Sequence, residues 1–266
     1  MAKRLLTSGI GVIIFFCILP SPAFVFCTAI GIITLCAVFE LHRAVTKNIP
    51  ITIIGLISSL LIILGMIFDY LLYGIFLVFA IYLILSVILH GKEKVWIIYM
   101  LGFSTVIFSC FLSTIAKIRL DFSPYEVLLP FLFAWITDSG AYFTGRTLGK
   151  HKLAPHLSPK KTIEGSVGGI ISCVLCSLLY VWILDSIFAY SIFNEHNYLY
   201  ITAISIIASV ISQFGDLALS AIKRDFGIKD YGNILPGHGG ILDRFDSTLF
   251  AAPVVYYILF YINFAI

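Results

Sequence analysis

ITIIGLISSLLIILGMIFDYLLYGIFLVFAIYLILSVIL, residues 51–89, holds a single charged side chain, Asp69. A hydrocarbon layer about 30 Å thick explains such a run, because a helix rising about 1.5 Å per residue needs about 20 residues to cross it. Lipid offers the backbone no water, and a helix satisfies its own N–H and C=O groups. Divided near Asp69, the stretch predicts two spanning helices, 51–69 and 70–89. Working outward, further apolar runs fall at 5–19, 23–39, 95–116, 125–147, 165–190, 198–221 and 245–264. The fold class is therefore all-α, a polytopic membrane protein with about nine transmembrane helices. Alternating segments of about ten residues, the mark of a membrane barrel, are absent.

The composition agrees. Hydrophobic residues make up 60% of the 266 positions and charged residues only 12%, against about 45–50% apolar residues in soluble domains. The net charge of +3 gives no argument for a nucleic-acid partner. All six cysteines lie inside apolar runs and read as small packing residues. Cys173 and Cys176 form a C-x-x-C with no second pair or nearby histidine to complete a zinc site. Lys3 and Arg4 followed by Leu5 to Leu19 have the look of a secretory leader, with Pro20 to Ala23 as a cleavage-like end. Because another apolar run follows at once, a retained first helix is expected, with Pro20 and Pro22 marking the turn.

Charge distribution sets the expected orientation. With nine spans and a cytoplasmic N-terminus, 15 of the 17 Lys and Arg residues fall in cytoplasmic segments, leaving Lys117 and Arg119 outside. An eight-span arrangement scrambles this pattern, so the C-terminus is expected outside. The first five spans carry few polar residues. Residues 1–124 are thus expected to be an N-terminal packing region of about five helices, and 125–266 a catalytic region of about four helices with cytoplasmic loops. No internal repeat of the kind many transporters show is evident.

Three segments hold the chemistry. Asp138, Tyr142 and Arg146 follow i, i+4, i+8 spacing on the sixth span. A carboxylate at that depth is costly unless paired or hydrated, which points to function, the alternative being a contact that merely holds helices together. The next loop carries Ser158, Lys160, Lys161, Thr162 and Glu164. Lysine pairs at an interface serve as topology anchors or bind anionic lipid; hydroxyls and ammonium groups beside a helix start also suit a polyphosphate. The densest segment is SAIKRDFGIKDYGNILPGHGGILDRFD, Ser220 to Asp246. Asp216, Ser220 and Lys223 share one stripe just before and inside it, Arg224 flanks them, and Asp243 and Asp246 are spaced i, i+3. Carboxylates at two helix ends make a hard-oxygen site suited to Mg²⁺, which takes one or two carboxylates plus substrate phosphates. The Gly237-His238-Gly239-Gly240 run reads either as a tight turn or as a close approach of backbone to ligand.

At these residues the sequence resembles the phosphatidate cytidylyltransferase (CDP-diacylglycerol synthase) family. The family pattern is met at Ser220, Lys223, Arg224, Lys229, Asp230, Gly232, Pro236 through Gly240, Asp243, Arg244 and Asp246. The segments Asp138 to Arg146 and Ser158 to Gly165 match it too, so the motifs cover roughly residues 138–246. The resemblance implies transfer of CMP from CTP to phosphatidate, giving CDP-diacylglycerol and pyrophosphate. It also implies a Mg²⁺-dependent site with two metal positions and a homodimer. A compact nine-span chain suits a bacterial inner membrane, and the charge pattern puts the site at its cytoplasmic face. Asp216 and Asp243 would be metal carboxylates, with Asp138 and Asp246 supporting them. Lys223, Arg224, His238, Asp243 and Asp246 are the expected catalytic set. Substrate contacts are expected from Asp138, Tyr142, Arg146, Ser158, Lys160, Lys161, Thr162, Glu164, Ser220, Lys229, Asp230, Gly239, Gly240 and Arg244. The competing readings are a cytidylyltransferase for another lipid phosphate or a lipid kinase, which transfers a γ-phosphate, and, from a different class, a transporter or channel with charged intramembrane residues.

Overall fold

The computed structural model describes residues 2–193, 197–237 and 239–264. Among the described residues the chain forms nine helices: α1 (Ala2–Ile18), α2 (Ala23–Val45), α3 (Ile49–Ile67), α4 (Leu71–Ile88), α5 (Val95–Asp121), α6 (Pro124–Leu148), α7 (Ile163–Ile187), α8 (Asn197–Asp225) and α9 (Leu242–Phe264). Two short antiparallel strands, β1 (Lys152–Ala154) and β2 (Ser158–Thr162), form a hairpin between α6 and α7. Helices α2 to α9 are each long and apolar enough to cross a bilayer, whereas the apolar part of α1, Gly9–Ile18, is shorter.

Each expected apolar run is helical over most of its length; α7 ends at Ile187 rather than at residue 190, and other boundaries differ where charge follows the apolar run. Helix α2 continues past residue 39 to Val45 and carries Glu40, Leu41 and His42 into the interior. Helix α8 continues to Asp225 through Lys223 and Arg224, cations that suit a helix C-terminus. Local signals set the other ends. Ser123 and Glu126 form a reciprocal capping box at the start of α6, with Pro124 in its first turn. Thr162 caps α7 by accepting the N–H of Gly165 at 3.1 Å.

The chain divides into two compact units, one of Met1–Asp121 with Phe226–Phe245, the other of Phe122–Asp225 with Asp246–Ile266. In the first, α5 packs against α2, α3 and α4, burying Ile51, Ile62, Leu101, Leu112 and Ile115. Hydroxyls bridge these helices: Ser109 donates to Ser59 at 2.7 Å, and Thr105 shares a 2.9 Å hydrogen bond with the buried His42 ring. Such bonds and close packing replace the hydrophobic drive that lipid removes.

In the second unit α6 and α7 lie closest, and α8 packs on both. Small residues set the approach. A Cβ on Gly165 would sit 2.7 Å from the carbonyl oxygen of Ala141, and one on Gly169 would sit 2.7 Å from that of Thr137. Backbone cannot yield there, so only glycine admits this spacing. Thr137 donates across to Ser209 of α8 at 2.8 Å.

Candidate active site

Within the second unit the charged residues converge on a cavity of about 420 Å³. Asp138, Tyr142 and Arg146 of α6 line one side, and Arg146 donates to the Tyr142 hydroxyl at 3.2 Å. Lys160, Lys161 and Thr162 enter from β2, while Gln213 and Asp216 enter from α8. Lys161 and Asp216 form an ion pair, both largely shielded from solvent. Asp138, Asp216 and Asp246 lie within electrostatic range of one another, with Lys161 near Asp138 and Lys223 near Asp246. Ser247, one residue after Asp246, donates to the Asp138 carboxylate at 3.0 Å, and its own N–H is held by Asp246 at 2.8 Å.

The hairpin that presents the two lysines is anchored at its base. Glu164 accepts the N–H groups of Lys150 and His151 and meets the His151 ring at 2.6 Å. Arg224 Nε reaches the Leu157 carbonyl at 3.4 Å, tying the end of α8 to the hairpin tip. Ser158 pairs with Ala154 across the strands. Ser220 is half-buried on α8, one turn after Asp216.

The remaining motif residues belong to the first unit. Asp243 is buried at the start of α9, and its Oδ2 accepts the N–H of Tyr231 at 2.9 Å and of Gly240 at 3.0 Å. Gly239 has φ of +86°, and a Cβ there would lie 3.1 Å from that same oxygen. The positive φ calls for glycine at this position, and the carboxylate leaves little room for a side chain. Lys229, Asp230 and Arg244 are exposed. His238 lies outside the described residues. Asp216 and Asp243, the two expected metal carboxylates, thus fall in different units.

Among the described residues no three His, Cys, Asp or Glu side chains are gathered so as to chelate an ion by themselves. The donor chemistry nevertheless fits Mg²⁺. Around Asp216 three carboxylates face two ammonium groups, and Mg²⁺ characteristically takes one or two carboxylates and completes its shell with phosphate and water oxygens. Cys173, by contrast, is buried with its sulfur against the Phe133 and Ser205 carbonyls, a packing environment.

Three polar residues of these surroundings were not anticipated. Ser247 and Gln213 carry no charge and sit inside an apolar pattern. Glu40 falls just beyond the expected end of the second span, yet it is buried and accepts two backbone N–H groups at the start of α9. Its only advance signal is a carboxylate between Phe39 and Leu41, where a helix can continue inward.

Fold and site together define a polytopic helical membrane protein that carries a carboxylate and lysine cluster near its helix ends. The model of the cytidylyltransferase family matches residues 2–262, and the chain belongs to that family. Among similar proteins are the phosphatidate cytidylyltransferases of Staphylococcus haemolyticus, 47% identical over 131 residues, and of Bacillus subtilis, 50% identical over 125 residues. The counterpart of Staphylococcus saprophyticus is 49% identical over 131 residues. These alignments cover 47–49% of this chain and 44–47% of each relative, so the chain spans about half the length of the curated relatives it matches.

Proposed function

We propose that this protein is a phosphatidate cytidylyltransferase, joining the phosphate of phosphatidate to the α-phosphorus of CTP and releasing pyrophosphate. The observation that carries the reading is the cavity where Asp138 and Asp216 meet Lys160, Lys161 and Arg146 at the end of a bundle of membrane-length helices. The relatives' names supply the particular substrates.

The chemistry follows from the charges. A phosphate monoester with a second pKa near 6 is largely dianionic at pH 7, so the lipid headgroup is already a nucleophile. Repulsion between two anions is then the obstacle, and cations must offset it. Lys160, Lys161 and Arg146 hold phosphate oxygens in the cavity, with arginine suited to gripping two oxygens at once. Lys223 and Arg224 extend this positive rim along the last turn of α8. Asp216, supported by Asp138 and Asp246, would hold Mg²⁺, and the family resemblance assigns Asp243 as a second metal carboxylate. When bound, Mg²⁺ neutralises charge on the phosphates and on the departing pyrophosphate. Ser247 and Lys161 keep Asp138 and Asp216 oriented toward the cavity. Tyr142 and Thr162 shape its wall.

Phosphatidate keeps its acyl chains in the bilayer while CTP arrives from water, so the site belongs at a membrane interface. The charge pattern supports nine crossings with the N-terminus and the site on the cytoplasmic side and the C-terminus outside, and the bacterial relatives support an inner-membrane location. Homodimerisation rests on the family resemblance. Cysteine introduced beside Lys160 is expected to react with an impermeant reagent from the cytoplasmic side only.

The deciding assay incubates the purified full chain with labelled CTP, Mg²⁺ and phosphatidate in mixed micelles. Lipid-linked CMP and pyrophosphate are expected in equal amounts. Release of CDP with a phosphorylated lipid would replace the reading by a kinase; no lipid product from folded protein would remove it.

A further inference from the structure

Glu40 is a buried carboxylate on a helix that the catalytic reading leaves without a task. Its Oε1 accepts the N–H of Ile241 at 3.0 Å and its Oε2 that of Leu242 at 2.8 Å. The preceding amide, Gly240, is held by Asp243. Three successive N–H groups are therefore divided between two carboxylates, and the two that Glu40 takes, at Ile241 and Leu242, are among those a helix start leaves open. An anion is favoured there by the helix dipole as well.

Two glycines of the motif take their reason from this contact. A Cβ on Gly232 would lie 2.5 Å from Glu40 Oε1, and one on Gly240 would also collide with the carboxylate. Gly240 has no positive φ to explain it. Both leave room for Glu40, so the helix α2 carboxylate and the 231–242 segment fit as one device.

We propose that Glu40 is a positioning residue for Asp243: it locks the 240–242 backbone, and through it fixes where the Asp243 carboxylate points. Asp243 cannot swing without dragging the amides of Tyr231 and Gly240, and Gly240 is tethered in turn by the next two amides, both held on Glu40. This rests on the reading of Asp243 as a metal carboxylate in cytidylyl transfer. Glu40 also borders a cavity of about 250 Å³ shared with Arg43, Tyr231 and Asn233. That space admits water once the carboxylate is shortened. Truncation should therefore loosen the loop rather than unfold the helix bundle.

The test compares full-length wild type, Glu40→Ala, Glu40→Gln and Gly240→Ala by amide hydrogen exchange and by turnover. In Glu40→Ala the Ile241 and Leu242 amides are expected to exchange about tenfold faster or more, the scale of losing a charge-assisted hydrogen bond. Peptides from α6 to α8 should exchange as in wild type. Turnover is expected to fall about 100-fold, as for a misplacement of roughly 1 Å, with a higher half-saturating Mg²⁺ concentration and little change in KM for CTP. Glu40→Gln, which keeps one acceptor, should fall between, and Gly240→Ala should resemble Glu40→Ala. Unchanged exchange at Ile241 and Leu242 overturns the proposal, as does wild-type turnover in Glu40→Ala. If Glu40→Ala does not elute as folded protein, Glu40→Gln carries the same comparison. If wild type makes no lipid-linked CMP, the proposed function falls, and exchange alone decides whether Glu40 locks the segment.

Discussion

Replacing Lys161 by Met and Asp216 by Asn, singly and together, probes the charge balance of the carboxylate cluster without reference to its function. The pair is 25% and 21% exposed at its two side chains, with Asp138 close to both and Asp246 close to Asp216. Unit charges about 4 Å apart attract by about 4 kcal/mol at an effective dielectric constant near 20. Desolvation and residual water contact reduce the net worth of such a pair to about 1–2 kcal/mol. The single changes are not equivalent. Lys161→Met leaves Asp216 facing two like charges, so repulsion adds to the lost attraction and the cost should reach about 2–3 kcal/mol. Asp216→Asn leaves Lys161 beside Asp138 and relieves Asp246, so it should cost about 1 kcal/mol or less. The double variant should be more stable than the sum of the singles by about 1–2 kcal/mol. Reversible unfolding in mixed micelles, followed by tryptophan fluorescence, measures all three. Equal costs for the two singles with an additive double would refute the arrangement, because no shared cluster then exists.

Three other outcomes are expected. Gly169→Val drives a side chain against the Thr137 carbonyl and should destabilise the second unit by about 1–3 kcal/mol, read as a lower midpoint in thermal melts. Tyr190→Phe removes a 2.5 Å hydrogen bond to the buried Glu126 and should cost about 1.5–3 kcal/mol in the same melts while leaving KM for CTP in place. Asp243→Asn should bring cytidylyl transfer to background at any Mg²⁺ concentration up to tens of millimolar, roughly, given a ligand lost from a site that binds through one or two carboxylates; a near-normal rate would remove Asp243 from the metal shell.

The helices were legible because lipid imposes one requirement, apolar length, on every span, and residues 51–89 state it plainly. The ends were less so. The apolar run of the second span stops at residue 39, yet helix α2 continues through Glu40 and His42, since a buried carboxylate is acceptable when two amides meet it. Lys223 and Arg224 likewise lie within α8 because long cationic side chains reach outward from a helix end. The β1–β2 hairpin gave no alternating pattern: its strands span three and five residues, and β2 consists wholly of Ser, Pro, Lys and Thr. At the site, spacing on one helix announced Asp138, Tyr142 and Arg146. The pairing of Lys161 with Asp216, by contrast, depends on how α7 brings the hairpin to α8, which no local pattern encodes.

The close glycine-lined contact between α6 and α7 also bears on biogenesis. These helices and their hairpin are contiguous in sequence, so they can associate as soon as both have left the ribosome. Asp216 is synthesised only afterwards. During insertion, therefore, Lys161 stands without the Asp216 carboxylate that meets it in the folded protein. Only once the eighth helix arrives can that ion pair close and tie the hairpin to α8.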